Sequence, residues 1–270
     1  MSALPAIKLP SGQDLPMLGL GTWRLNGEEC TQAVKSALAL GYMHIDTAEM
    51  YQNEQEVRCA LKNVAREQLF LTSKVFHNHL HHDDVIAACL ASLNRLGVRD
   101  LDLFLIHWPN RNVPMKETFT ALANLQANGM VRAIGVSNFT VRHLQEAKKA
   151  SPVPIAVNQV ECHPFLRQDE LLAFCRQHKI QLVAYSPLAR GKVYQDKTLI
   201  AIGKTHKKTA GQIALRWLHQ RGIVAIPKAS SEKHLRENLE IFDFALTAEE
   251  MAAIDALPQQ RIINPSFAEF

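Results

Sequence analysis

The 270-residue chain predicts an α/β fold, a (β/α)8 barrel of the TIM type with an N-terminal β-hairpin and an extra C-terminal helix. Three observations lead there. Short apolar runs alternate with longer amphipathic ones along the chain, the pattern of strands followed by helices. Most of the eight strand-like runs are apolar through their middle, as expected for parallel strands buried on both faces. The length suits one such barrel, and no linker or low-complexity tract divides it, so residues 1–270 read as a single domain.

Taken in order, "IKLP" and "LPML" flank the turn "SGQD" and form the hairpin. The strands are "LGLGTW", "MHIDT", "LFLTSK", "LDLFLIH", "AIGVS", "AVNQVE", "QLVAYS" and "GIVAIP". Helical patterns between them include "TQAVKSALAL", "EVRCALKNV", "DDVIAACLASLNRL", "ETFTALANLQANG", "RHLQEAKKA" and "ELLAFCRQHK". Residues 247–257, "TAEEMAAIDAL", read as the extra helix with Thr247 as its N-cap. A doubly wound dinucleotide-binding sheet is the competitor. It calls for a G-x-G-x-x-G turn after its first strand, where this chain has "GLGTW".

Hydrophobic content of 47% with 21% charged residues is ordinary for a soluble protein. No segment approaches the ~18 uninterrupted apolar residues of a membrane span. The N-terminus lacks the basic start and apolar run of a secretory signal, so a cytoplasmic protein with no membrane partner is expected. Five cysteines, Cys30, Cys59, Cys89, Cys162 and Cys175, show no C-x-x-C pairing and read as reduced, mostly buried thiols. The net charge of +4 comes without a Lys/Arg run interleaved with aromatics, so no nucleic-acid partner is expected. A local site for an anionic cofactor accounts for the charge as well.

Barrels of this type carry their sites at the C-terminal strand ends. Polar side chains there are Asp46, Lys74, His107, Ser137 with Asn138, Gln159 with Glu161, Tyr185 with Ser186, and Lys228. The connector "HIDTAEMYQNEQEV" adds Tyr51 close to Asp46. A phenol with an ordinary pKa near ~10 donates a proton at neutral pH. Lys74 is expected to lower that value, Asp46 to hold the ammonium, and His107 to hydrogen-bond a substrate oxygen. This set fits a general acid that protonates a carbonyl oxygen as hydride reaches the carbon. It calls for no metal, and the hydride comes from a cofactor held across the barrel mouth. Singly, each residue has a plainer reading as loop cap, packing or solvated strand end. Their conjunction at one mouth favours function.

The motifs "DTAEMYQNEQEV", "LTSKV", "LIHWP", "IGVSNF", "NQVECHPF", "AYSPL" and "IPKAS", in this order over nearly the whole chain, resemble the aldo-keto reductase superfamily. The resemblance implies an NADPH-dependent reductase with a catalytic set of Asp46, Tyr51, Lys74 and His107. It implies a cofactor path over Gly21, Thr22, Trp23 and Asp46, with Ser137, Asn138 and Gln159 at the nicotinamide carboxamide and Tyr185 stacking on the ring. Ser186 and Leu188 line the pyrophosphate path. In "IPKASSEKHLRENL", Lys228 and Ser230 precede a helix start suited to a phosphate. His234 stands where the family commonly has an arginine for the 2′-phosphate, and Glu237 and Asn238 match the adenine-contacting pair. Arg236 points elsewhere on an ideal helix. Arg58 occupies a usual glycine position inside the second helix, leaving an altered helix contact open.

Trp23, Phe76 and Trp108 follow strand ends and are expected, with Tyr51 and His107, to wall the substrate pocket or to serve as packing. The short connectors "WPNRNVPMKETF" and "LARGKVYQD" and the tail "INPSFAEF" point to an open, shallow pocket for small polar carbonyls. The compact length and these segments are similar to bacterial 2,5-diketo-D-gluconate reductases of the B type, a group that also reduces methylglyoxal. The resemblance further implies a monomer. "HNHLHH", residues 77–82, reads as a solvated loop rather than a metal site, and Cys162 as a buried thiol rather than a nucleophile. Two other classes stay open: a cofactor-binding sensor with little turnover, and a Schiff-base lyase using Lys74.

Overall fold

The computed structural model describes residues 4–269, so the first three residues of the N-terminal stretch and the final Phe270 of the tail lie outside the described residues. Strands β1 (Ala6–Lys8) and β2 (Asp14–Pro16) pair antiparallel with Ile7 opposite Leu15, the expected hairpin. Leu9 and Leu15 share an apolar cluster with Phe70, Leu103, Ala133, Ala156, Val183 and Val224 from the early and central parts of the strands. The hairpin therefore plugs the end of the barrel where the strands begin.

Eight parallel strands follow at the expected places. They are β3 (Leu20–Gly21), β4 (His44–Asp46), β5 (Phe70–Val75), β6 (Leu101–Ile106), β7 (Val131–Ser137), β8 (Ile155–Glu161), β9 (Gln181–Tyr185) and β10 (Val224–Ala225), each beside its sequence neighbour. The first and last strands meet as well. Gly19 N donates to Ala225 O at 2.9 Å, Gly21 N to Pro227 O at 3.2 Å, and Ala225 N to Met17 O at 3.1 Å, closing the cylinder. At Gly21 a Cβ would stand 2.7 Å from Ile226 O, so glycine lets the closing backbones approach.

Helices α1 (Gly27–Ala39), α2 (Glu54–Leu61), α3 (His82–Leu96), α4 (Met115–Ala127), α5 (Val141–Ala150) and α6 (Asp169–Gln177) return the chain after β3 to β8. Two helices absent from the sequence reading follow β9: α7 (Lys197–His206) and α8 (Ala210–Gln220). The second carried a signal, because Thr209 and Gln212 form a capping box, the T-x-x-Q pattern that starts helices. Most of its residues are buried, with Trp217 fully so, and Arg216, His219 and Gln220 form its less buried face. Helix α9 (Glu232–Leu239) and the extra helix α10 (Ala248–Asp255) complete the fold, and Thr247 caps α10 with Glu250 as its box partner.

Arg58 in α2 lies over Gly97, the left-handed cap of α3 (φ 68°), with Nη1 3.5 Å from Asn94 O. Its contact is thus with the C-terminal end of α3, where the helix dipole favours a cation. Cys30, Cys89, Cys162 and Cys175 are buried and Cys59 is exposed, all as free thiols. Among the described residues no helix is long and apolar enough to cross a membrane.

Gly21→Ala should loosen the closure. Overpacking of this kind costs about 1–3 kcal/mol, read as a lower urea midpoint; an unchanged midpoint would mean that the β3 and β10 backbones separate without cost.

Candidate active site

The C-terminal strand ends converge on a cavity of about 450 Å³. At its base Lys74, with no exposed surface, donates from Nζ to Asp46 Oδ1 at 2.5 Å and to Thr47 O at 2.8 Å. The second Asp46 oxygen accepts from Gln159 Nε2 at 2.7 Å. Three strands, β4, β5 and β8, are thereby fastened at one point. Among these side chains Asp46 and Gln159 line the cavity while Lys74 stands behind them.

Tyr51 closes a 3-10 turn, Glu49–Tyr51, whose exit residue Gln52 is left-handed at φ 55°. The turn is tied to the end of β5 because the Glu49 carboxylate accepts from Phe76 N and faces His79 Nδ1 at 3.1 Å. Asn53, fully buried, donates to Thr22 O and Leu25 O at 2.8 Å and accepts from Thr47 Oγ1 at 2.7 Å, locking this connector to the one after β3. Tyr51 is half-buried at the cavity wall, with Lys74 Nζ 5.1 Å from its ring centre and His107 edge-on at 5.6 Å.

The electrostatics correct one expectation. Burial, with the Asp46 charge second, pushes the Tyr51 hydroxyl well above its ordinary value rather than below it. Lys74 pairs with Asp46 at 2.5 Å, and of the two the carboxylate is the one whose charge bears on the phenol. Burial likewise lowers Lys74 itself against the pull of Asp46. His107 is held well below 6.5 by burial, then by Lys74 and His77, and is a neutral imidazole at physiological pH. The floor therefore carries an uncharged phenol and an uncharged imidazole beside a buried ion pair. Lys74, buried and doubly hydrogen-bonded, has no path to a carbonyl carbon, which removes the support for a Schiff-base lyase.

The expected cofactor residues divide into two sets. Gly21, Thr22, Trp23, Asp46, Asn138, Gln159, Tyr185, Ser186 and Lys228 line the cavity. Gln159 Oε1 makes no hydrogen bond among the described residues, which fits an acceptor for a carboxamide N–H. Asn138 Nδ2 donates to His107 O at 3.0 Å and to Ser137 Oγ at 3.1 Å, and its oxygen accepts from the Tyr185 hydroxyl at 2.7 Å. Ser137 is set back, its hydroxyl donating to Gln159 O at 2.8 Å. Leu188, Ser230, His234, Glu237 and Asn238 also lie outside the cavity. Ser231 caps α9 by accepting from His234 N, and His234 is exposed there. Arg236 pairs with Glu232 at 2.6 Å on the outer face, as the helix geometry required. Asn238 is buried against Tyr42, whose hydroxyl donates to Leu235 O at 3.0 Å.

Of the expected substrate walls, Trp23, Tyr51, His107 and Trp108 line the cavity. Phe76 does not; it backs the wall, edge-on to His107 and to Phe267 at 5.8 Å. Met50, Arg190, Ile226 and the tail residues Ile262, Ile263, Asn264, Pro265 and Phe267 line it too and were not foreseen. The tail supplies a wall where short connectors had implied a shallow pocket. Glu161 explains how. This fully buried carboxylate accepts from Ile262 N at 2.7 Å, Ile263 N at 2.9 Å and His163 Nε2 at 2.9 Å. Burial alone would raise its pKa, but these bonds together hold it below the usual value. Farther along, Phe267 stacks on His77 at 4.4 Å, and Glu269 meets Arg111 at 3.1 Å. Strand β8 ends in Glu161, so the signal was present in "NQVECHPF" without its partner being legible.

The other histidines of residues 77–82 pair separately, His81 with Glu117 and His82 with Asp83, as His79 does with Glu49. Burial pushes the Cys162 thiol up to about 12, an inert buried thiol.

A closed parallel barrel with a lysine–carboxylate pair, a phenol and an imidazole at one mouth defines a class of carbonyl-reducing barrels, and the comparisons agree. Residues 17–259 match the aldo/keto reductase family profile, and the chain belongs to that family. It is 44% identical to the glyoxal reductase of Bacillus subtilis (strain 168) over 263 residues, covering 96% of this chain and 95% of that protein. Among solved structures, one described as a candidate 2,5-diketo-D-gluconic acid reductase B superposes with a TM-score of 0.95 at 42% identity, covering 98% of this chain and 96% of the other. The Bombyx mori aldo-keto reductase in complex with NADP gives 0.92 at 34% identity, covering 98% and 97%.

Glu161→Ala leaves two tail amides without their acceptor, at about 1–3 kcal/mol for unsatisfied buried groups. Limited proteolysis after residue 258 should then proceed faster and at lower temperature than in the wild type. Equal protection would mean that Phe267 and Glu269 hold the tail alone.

Proposed function

We propose that the protein is an NADPH-dependent reductase of small aldehydes and ketones, of the methylglyoxal and 2,5-diketo-D-gluconate type, working in the cytoplasm as a single-domain monomer of residues 1–270. The observation that carries the reading is the neutral phenol of Tyr51 at the cavity wall beside neutral His107, with the Asp46–Lys74 pair beneath. When bound, the reduced nicotinamide supplies hydride to the carbonyl carbon. Tyr51 delivers its hydroxyl proton to the carbonyl oxygen, giving the alcohol, and is reprotonated from solvent. His107 orients that oxygen by a hydrogen bond. Gln159 holds the carboxamide side of the ring while its Nε2 keeps Asp46 in place. Trp23, Trp108 and the tail exclude water from the reacting atoms. Lys228 and Ser230, ahead of the Ser231-capped α9, are the groups for the 2′-phosphate, with His234 beside them. The relatives named for glyoxal and diketogluconate reduction support this substrate class.

The test follows loss of the reduced nicotinamide's absorbance with methylglyoxal and 2,5-diketo-D-gluconate, using NADPH and NADH in parallel. Turnover with preference for NADPH is expected. Tight nucleotide binding without turnover of any carbonyl would replace the reductase by a nucleotide-binding protein.

Tyr51→Phe should lower kcat by about a hundredfold or more, the scale of a lost general acid, while the NADPH Kd stays within about twofold on a 1.4 kcal/mol-per-decade scale. Full activity would remove Tyr51 from the chemistry.

The pH profile tests the electrostatics separately. The acid form of Tyr51 persists until pH rises through a pKa raised above its ordinary value, and His107 stays neutral until pH falls through one lowered well below 6.5. The rate of reduction should therefore be flat from about pH 6.5 to about pH 9, given the ordinary values of these groups. An inflection close to the ordinary histidine value would show that His107 charges in the working enzyme.

A further inference from the structure

We propose that Glu49 is a positioning residue for the carbonyl reduction, a single carboxylate that keeps the Tyr51 acid and the His107 ring at a fixed separation. The inference rests on the reductase reading and gives a task to a residue outside the catalytic set. Tyr51 reaches the cavity from a three-residue turn, Glu49–Tyr51, none of whose residues is fully buried. Its neighbour Met50 is 38% exposed, so apolar packing does little to fix the turn. Before the turn Thr47 N donates to Thr72 O at 2.9 Å, and after it Asn53 is locked between connectors. Between those anchors the side chain of Glu49 carries the turn's own tie to the end of β5.

The place where that tie lands is what matters. Glu49 Oε1 accepts from Phe76 N, two residues past Lys74, and the Phe76 ring stands edge-on to His107 at 5.8 Å. His107 N in turn donates to Val75 O at 2.9 Å, so the imidazole is supported from the same strand end. One hydrogen bond thereby couples the turn that carries the phenol to the backbone that supports the imidazole, and the two rings meet at 5.6 Å.

The carboxylate is also sheltered for this use. The same oxygen lies 3.1 Å from His79 Nδ1, and His79 N donates to Phe76 O at 3.0 Å, which folds the connector after β5 back over Glu49. A pair with the half-exposed His79 alone would contribute little. A charge-assisted bond to a backbone N–H is stronger and fixes direction. Proton delivery in step with hydride needs the phenol within hydrogen-bond reach of the carbonyl oxygen, and a misplacement of about 1 Å costs about a hundredfold in rate.

The experiment compares wild type with Glu49→Gln, Glu49→Asp and Glu49→Ala. Glutamine keeps an oxygen at the same reach for Phe76 N, aspartate keeps the charge but falls one methylene short, and alanine has neither. For each, kcat and KM for methylglyoxal are measured with NADPH and with NADPH deuterated at the transferred position, the NADPH Kd by calorimetry, and the unfolding temperature by circular dichroism. A positioning role lowers kcat about tenfold or more in the Ala and Asp variants and leaves KM and the NADPH Kd within about twofold. It also moves the deuterium effect on kcat toward its full value, because chemistry then limits turnover, and the Gln variant recovers most of the rate. A lowered unfolding temperature with unchanged kcat per NADPH-binding molecule in the Ala and Asp variants would make Glu49 a purely structural tie and overturn the proposal, as would a Gln variant as slow as Asp. If the Ala variant does not fold, the Asp and Gln variants decide by the same criteria. A wild type that binds NADPH yet reduces no carbonyl defeats the reductase reading instead. Crystal structures of the Gln and Asp variants then decide: a ring separation of 5.6 Å kept in Gln and lengthened in Asp is expected, and the same separation in both overturns the proposal.

Discussion

The buried ammonium of Lys74, 2.5 Å from Asp46, is the constraint on which the mouth of this barrel is organised. Removing two charges from water costs several kcal/mol per ion, and the attraction between them offsets this only when their remaining hydrogen-bonding capacity is met. Here it is met by Thr47 O on one side and Gln159 Nε2 on the other. Those partners sit at the ends of different strands, so a slip in register between β4, β5 and β8 would strand a charge. The pair fixes the strand ends as much as it serves any chemistry.

From that anchor the rest of the mouth is assembled by buried polar ties rather than by apolar packing. Asn53 joins the connectors after β3 and β4, and Glu49 fastens the Tyr51 turn to the end of β5. Glu54, with no exposed surface, accepts from Ser73 Oγ at 2.6 Å and from Arg95 Nε at 2.7 Å, tying the start of α2 to β5 and α3. Glu161 does the same for the C-terminal tail. Loops built this way resist opening, because releasing any one tie leaves a buried polar group unpaired. That is the rigidity a positioned phenol needs.

The sequence makes the strands legible because most are apolar through their middle, and the barrel follows from their number and the helices between them. It exposes Asp46, Lys74 and His107 because each stands at or just past a strand end, and Tyr51 because it lies in the short connector after Asp46. Helices α7 and α8 escaped the reading although α8 carried both a capping box and an amphipathic pattern. The direction of the Tyr51 shift was misread for a different reason. That Lys74 and Tyr51 share one mouth follows from the strand ends, whereas the burial that dominates the phenol and the Asp46 charge beside it are properties of the packed mouth. The tail wall and Arg190 depend on contacts across the barrel, Ile262 with Glu161 and Arg190 with Trp23, and no local pattern encodes them.

The electrostatic division of the mouth joins these pieces. Its floor presents the buried Asp46–Lys74 pair, a phenol that keeps its proton and an imidazole that stays neutral. Its rim carries Arg24, Arg190 and Lys228, cations left largely without partners of their own. For the proposed reductase this separation matters physically. Positive charge at the floor would favour the phenolate and so weaken Tyr51 as an acid, while the same charge at the rim can hold an anionic dinucleotide or substrate. A cation several ångströms away across a water-filled rim acts on the phenol only weakly, because solvent screens it, whereas one in the dry floor would act at nearly full strength. In the proposed reductase, a cation at the rim would therefore leave the acid at the floor little altered.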